Sequence, residues 1–563
     1  MSKSTDRRDK TSDESGTSGA SAVPSDITAA TSSHEADQVV SDQEQRFYYY
    51  GLSKSIESTP RLIARSGTDP FHIDFEVVSG WTIPKDSMRK TLSAIRHGSH
   101  PITSVYDHRL RVRLREALRD IDWTCVDVMR LGRLPRPDDN EIVVLVSCSR
   151  EANIDHGNAM RAIRHCKEIL DECGFYDVQV EMKEGGYIPL TGEEDMRRHL
   201  FDRIPCIGMS TGVSYSDGTA IKHSSGTLGL YLRIGEEPIP YGITCRHVVF
   251  PPNRPPPGGA VSRFAHTDGY FAVDAPSYVD CQEELDDVTT RLQYEEEMFA
   301  CEGGLKEQQE TAGEYLSREK KDRIQRYHED TAGYRATLNT IEESHRTLGS
   351  IYAASADGIS SAGYTQDWAM IKFDPVRLEN CNVDQHEFNL LPCPPSQMQT
   401  KSEFRKVYKS LQDDLSDEDQ IQTDNFRRPI RDIVPTSEIT NPTIHTIAGD
   451  EDRNPAPCMR VVKCGRSTGW SISEISGIKS DCQRTRGIIS TELCIPNVSS
   501  SAKFSAVGDS GSIIFDFRGR AVAMIHGGNA IVGNTETIVT YATPAEELLS
   551  NITQQLGVSV RMA

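Results

Sequence analysis

The chain has 563 residues, 37% of them apolar, with 62 basic residues against 83 acidic ones and a net charge of -21. That length implies two to four domains, and the apolar share is thin enough that part of the chain must be linker. The acidic balance repels phosphate backbones and anionic lipid, so nucleic acid and membrane surfaces are excluded as expected partners.

Residues 1–45 are rich in Ser, Thr, Asp and Glu and nearly free of large apolar side chains, so they cannot bury enough surface to offset ordering entropy and are expected to be disordered. Their opening, MSKSTDRRDKTSDESG, carries no apolar core of signal-peptide length, and no later stretch approaches 18 uninterrupted apolar residues. A soluble, cytoplasmic protein is expected. The 14 cysteines form no CxxC pairs, which argues against a zinc site or a dense disulfide framework and for reduced thiols.

From 46 to 195 strand and helix signals alternate. HIDFEVVSGW (72–81), WTCVDVMRL (123–131), EIVVLVSC (141–148) and YDVQVEM (176–182) read as strands. HRLRVRLREALRDID (108–122) and residues 154–174 read as helices. The order β-α-β-β-α-β predicts a small α+β domain of the split βαβ kind. It carries no chemical motif.

Between 200 and 560 the texture becomes short strands and Gly-rich turns, as in GTLGLYLRIGEEPIPYGITCRHVVF and DSGSIIFDFRGRAVAMIHGG, which predicts an antiparallel all-β region. Two insertions interrupt it. Residues 281–352 are charged and place Ile324, Tyr327, Thr331, Tyr334, Leu338, Ile341, His345, Leu348 and Tyr352 at alternating spacings of three and four, a coiled-coil seam. Leu285, Val288, Leu292 and Phe299 begin a second seam, and CEGG at 301–304 offers a break, so a protruding helical hairpin is expected, with self-association or partner binding as the alternative. Residues 394–456 are polar and acidic and read as a mobile loop. TPAEELLSNITQQLG predicts a terminal helix with Thr543 as cap and Pro544 in its first turn, packed on the β body.

Within the β region three side chains fit one kind of chemistry. A hydroxyl is a weak nucleophile at neutral pH and needs a base, with a third group fixing that base's tautomer. His247 ends an apolar strand in YGITCRHVVF, Asp367 immediately precedes the alternating run WAMIKF, and Ser510 lies between glycines in GDSGS. Gly508 and Gly511 let the backbone turn tightly, so the amides of Gly508 and Ser510 can converge as an oxyanion hole, with Asp509 turned inward to hold the loop. Alone, GDSG is an ordinary turn, His247 an ordinary structural histidine and Asp367 an ordinary strand cap. Together, in the order His, Asp, Ser and each beside a strand, they read as a triad. Asp374 competes with Asp367 but follows the strand; Cys245 reads as a small buried hydrophobe rather than a thiol nucleophile.

On TCRHV, DWAMIKF and GDSGS, and on VVKCGRSTGWSISEISGI as a first hairpin of a second barrel, residues 200–560 resemble the chymotrypsin-like (trypsin-fold) serine proteases of the intracellular fungal and bacterial type. The resemblance implies two six-stranded antiparallel barrels with the triad between them, and peptide-bond hydrolysis through an acyl-enzyme without a cofactor or metal. It implies that His526, Gly527 and Gly528 line the cleft where substrate backbone lies, and that Phe504, six residues before the serine, forms the base of the specificity pocket. The aspartate follows the histidine by 120 residues, a wide spacing that the helical insertion explains. No Ile-Val-Gly-Gly activation sequence precedes the first barrel, so a protease that folds active, or one governed by its extra domains, is expected. The competing expectation is a regulatory or scaffold protein on the same fold, binding partners through residues 46–195 and the inserted helices. Hydrolysis of small esters by the same three residues is a third.

Overall fold

The computed structural model describes residues 40–563 apart from 190–200, 202–203, 252–261, 264–271, 312–316, 384–387, 391–429, 443–456, 498–502, 531–536 and positions 54, 135–136, 217, 380, 382, 431, 486 and 517. Of the expected disordered tail, residues 1–39 lie outside that set, whereas Asp42–Phe47 form a helix whose Ser41 hydroxyl caps the Glu44 amide. Most of the expected 394–456 loop also lies outside it; the described part, around 430–442, holds a two-residue strand and the short helix Thr436–Thr440.

The amino-terminal strands are β1 (Leu62–Arg65), β2 (Trp123–Gly132), β3 (Glu141–Cys148), β4 (Val178–Glu184) and β5 (Gly186–Pro189), with helix α1 (His156–Glu172) between β3 and β4. The apolar run of β3 has a direct cause: both its faces are covered. Ile142, Val144 and Val146 pack with Ile163, Ile169 and Leu170 of α1, while Val143 and Leu145 face Cys125, Met129 and Tyr541. Asp155 caps α1 through the Asn158 amide.

Two expectations for this region change. A split βαβ order requires a strand between β3 and β4, but these two pair directly and in parallel, from Ile142 with Val178 to Cys148 with Glu184. The strand foreseen over 72–81 is a separate exposed hairpin, Phe75–Val78 with Trp81–Pro84, and β1 takes the edge place beside β4. An apolar pattern cannot distinguish a sheet strand from an exposed hairpin when only one of its faces meets the core.

The rest of the chain is sheet-rich and mostly antiparallel. β6 (Ser210–Ser216), β7 (Ile221–Thr227), β8 (Tyr241–Thr244), β9 (Thr347–Ala354) and β10 (Ala369–Phe373) belong to one nine-stranded sheet. β11 (Met459–Gly465), β12 (Gly469–Ile475), β13 (Ser480–Thr485), β14 (Ile488–Pro496), β15 (Ile513–Phe515), β16 (Arg520–Ala530) and β17 (Thr537–Pro544) run on from β2 in a fourteen-stranded sheet, joined where Cys482 of β13 faces Cys125 of β2. Among the described residues neither ladder closes on itself, so the expected pair of closed barrels is not found.

Helices Tyr278–Thr311 (α2) and Arg318–Glu343 (α3) stand where the hairpin was foreseen. Glu296 pairs with Arg335, and Phe299 meets His328, so advance along one helix matches retreat along the other: they run antiparallel. The foreseen seam overruns the helix. α2 runs through CEGG without a break there, and the last two foreseen positions, Leu348 and Tyr352, lie on β9, with Leu348 in the sheet core. The terminal helix α4 (Ala545–Leu556) packs Leu548, Leu549 and Ile552 into the same core. Its foreseen cap is absent: Thr543 lies within β17, its hydroxyl donates to the Thr365 carbonyl, and Pro544 takes the cap position. Among the described residues every cysteine is a free thiol, and no helix is long and apolar enough to cross a membrane.

Candidate active site

His247 sits on the single helical turn Arg246–Val249 that follows β8, and its backbone amide donates to Asp367 Oδ1 at 3.0 Å. Its ring Nδ1 lies 2.6 Å from Asp367 Oδ2 and its Nε2 lies 2.9 Å from Ser510 Oγ. A carboxylate only accepts, so Nδ1 carries the proton and Nε2 is left to accept the serine hydroxyl. Asp367 just precedes β10, where the neighbouring Trp368 is fixed at both ends, its amide to Ser355 Oγ at 3.1 Å and its indole to Asn551 at 2.8 Å. All three residues are buried, Ser510 with no exposure at all.

Burial alone would raise the Asp367 carboxyl. The charge and hydrogen bond of His247 overcome it, with Arg484 3.8 Å away as a further cation, and hold the carboxyl well below the usual carboxylate range. The rival Asp374 does something else: it caps the turn Pro375–Leu378 through the Val376 amide and pairs with His345.

The serine loop is clamped from both sheets. Thr227 at the end of β7 takes the Ser510 carbonyl on its amide at 2.8 Å and gives its hydroxyl to the Gly508 carbonyl at 2.9 Å. Gly508 and Gly511 have φ of 106° and 95°, the left-handed region, and a Cβ at Gly511 would collide with the Thr227 carbonyl oxygen. Asp509 turns inward, as the tight turn requires. Its carboxylate takes Lys463 Nζ at 2.8 Å, the Thr468 hydroxyl at 2.7 Å and the amides of Ala506 and Ser467 at 3.0 and 2.9 Å. Burial opposes its ionisation, and Lys463 reverses that, leaving the carboxyl below its ordinary value.

The foreseen cleft residues lie against other parts of the chain. The His526 imidazole points into the interior, with Nε2 3.1 Å from Glu492 and Nδ1 2.8 Å from the Tyr187 hydroxyl; only its carbonyl faces Ser510, at 3.4 Å from Oγ. Gly527 and Gly528 pair with Pro189 and Ile188 of β5. Phe504 is fully buried among Val461, Ile475, Leu493 and Ile495, so its ring fills core rather than a pocket. Counting back from the serine fails because the count ignores which face of the chain each side chain takes.

Lys463, Arg484, Glu492 and Tyr187 were missed. Lys463 and Glu492 carried a signal, a charged residue on a largely apolar strand; fully buried ionic groups are rare unless paired. Cys245, His247 and Asp367 offer ligand atoms within 4.8 Å of one another, a possible cation cluster. The Cys245 thiol donates to the Ile525 carbonyl at 3.2 Å and burial pushes its pKa far up, so it fits a thiol better than a thiolate ligand.

No protein-family model and no curated protein matches the chain. Among solved structures it is similar to a glutamic-acid-specific serine protease described as using a histidine triad in substrate binding, at 10% identity and a TM-score of 0.25, over 63% of this chain and all of that one. It is also similar to the chymotrypsin of Cellulomonas bogoriensis, at 13% identity and a TM-score of 0.20, over 38% of this chain and 76% of that one.

Proposed function

We propose that the chain is a serine endopeptidase acting through an acyl-enzyme, on a body of two antiparallel sheet units related to the double-barrel proteases. The observation that carries the reading is the imidazole of His247 bridging a buried carboxylate at 2.6 Å and a serine hydroxyl at 2.9 Å. In this reading Ser510 attacks the scissile carbonyl while His247 takes its proton at Nε2 and later returns it to the leaving amine. Asp367 keeps the ring in the required tautomer and stabilises its charged form. The amides of Gly508 and Ser510 are the proposed donors to the developing oxyanion; one such donor contributes about 3 to 4 kcal/mol. Residues 46–195 and the helical hairpin are assigned to regulation or partner binding, and a cytoplasmic setting fits the free thiols.

The test is hydrolysis of an unstructured protein by wild type and by Ser510→Ala. Cleavage by the first and none by the folded second supports the reading; equal rates, or a folded wild type that neither cleaves peptides nor reacts with a small fluorophosphonate, count against it. A second reading, a regulatory protein on a protease body, draws its support from the complete burial of Ser510. The same assay separates the two.

A further inference from the structure

The edge of β16 nearest the serine loop is divided between two parts of the chain. β15 pairs with its first half, from Phe515 opposite Ala521 to Ile513 opposite Met524. Ile525 then donates to the Ser512 carbonyl at 2.9 Å and accepts the Gly511 amide at 2.8 Å. From Gly527 to Ala530 the same edge is taken by β5, antiparallel, with Gly186 opposite Ala530 and Pro189 opposite Gly527; β17 lines the other edge from Ala523 to Ala530. Between the two halves stands His526, its carbonyl 3.4 Å from Ser510 Oγ. β5 therefore runs toward the nucleophile and its last rung lies one residue from the His526 carbonyl.

A sheet edge beside a nucleophile is where an extended peptide can be held through its backbone whatever its side chains, by adding a strand. Each rung binds one strand only. We propose that β5 occupies the peptide-binding edge of this site, so that the chain blocks its own cleft and a peptide substrate gains access only when β5 leaves. This rests on the serine-protease reading above.

β5 is anchored by two side chains. The Tyr187 ring lies directly over Gly527, where any Cβ would collide with it, stacks with Tyr541 and His526 at 6.0 Å, and sits under the Arg484 guanidinium at 5.6 Å. Its hydroxyl lies 2.8 Å from His526 Nδ1 and 3.3 Å from the His526 carbonyl. Ile188 packs against the cluster that holds Phe504 and Leu493. The complete burial of Ser510 agrees with an occupied cleft.

The experiment uses the full chain as wild type, Tyr187→Ala and Ile188→Asp. Active sites are titrated to completion with a small fluorophosphonate, cleavage of fluorescein-labelled denatured casein is measured per titrated site, and thermal melting checks folding. The proposal expects full titration of every form and a rise of at least fivefold in casein cleavage in both variants. Folded variants that titrate fully yet cleave at the wild-type rate or below overturn it. Absence of titration in every form instead defeats the serine-hydrolase reading, and this one with it.

Discussion

Lys463 and Asp509 form an ion pair in which neither side chain has any exposure, with Nζ 2.8 Å from Oδ2. Asp509 precedes the serine in sequence, and its carboxylate ties the serine loop to β11 and to the turn at Ser467 and Thr468. The cation that neutralises it thus belongs to a strand already in the fold.

Removing that cation leaves a buried, unpaired carboxylate at the foot of the serine loop. Lys463→Met should cost about 3–5 kcal/mol of stability, the usual consequence of breaking a buried pair by removing one partner. Denaturant melts report the loss, and the same variant should titrate poorly with an active-site reagent even below its melting temperature. A variant as stable as wild type would show that the pair does not hold the loop.

Acid should destabilise the protein through three carboxyls. Asp367, Glu492 and Asp509 are each buried, which opposes ionisation, and each is nonetheless held below its ordinary value by His247, His526 and Lys463 respectively. Folded values below unfolded ones, which lie near 4, mean that the stabilising contribution is complete above about pH 4 to 5 and is lost as pH falls through the folded values. The melting temperature should therefore fall on acidification from about pH 5 to pH 3, and Glu492→Gln should make that slope shallower. Parallel slopes for the two proteins would contradict the assignment.

Asp367→Asn should leave the fold intact and lower kcat by roughly 10⁴, because an amide NH2 facing Nδ1 favours the wrong tautomer of the imidazole. Asp374→Asn should change kcat little, since its carboxylate caps a surface turn. Steady-state kinetics on one peptide substrate compares them; equal losses would reverse the choice between the two acids.

Gly511→Ala tests the clamp on the serine loop. The residue's positive φ and its closeness to the Thr227 carbonyl leave no place for a methyl group. A loss of stability of roughly 1–3 kcal/mol and a larger loss of activity are expected, the strain falling beside the nucleophile. Activity within twofold of wild type would mean the loop can move aside freely.

The convergence of His247, Asp367 and Ser510 was legible because each stands at the end of a strand signal, where a turn or loop meets it. Sheet partnership was not legible: nothing in EIVVLVSC says that one face meets α1 and the other meets Tyr541 from the far end of the chain. For the same reason the hairpin over 72–81 passed for a core strand, and the heptad spacing ran on into β9, where Leu348 is buried by sheet packing. His526 shows the limit for sites. Its position in the sequence places its backbone beside Ser510, but the side chain follows Glu492 and Tyr187, two partners far away in sequence.

In the serine-protease reading proposed above, Ser510 is a nucleophile activated by His247. The most direct measurement is a peptide map of the protein after fluorophosphonate treatment. One covalent adduct is expected, on the peptide carrying Ser510, lost in Ser510→Ala and slowed by orders of magnitude in His247→Ala. A folded wild-type protein that forms no adduct there, or forms it equally fast without the imidazole, would contradict it.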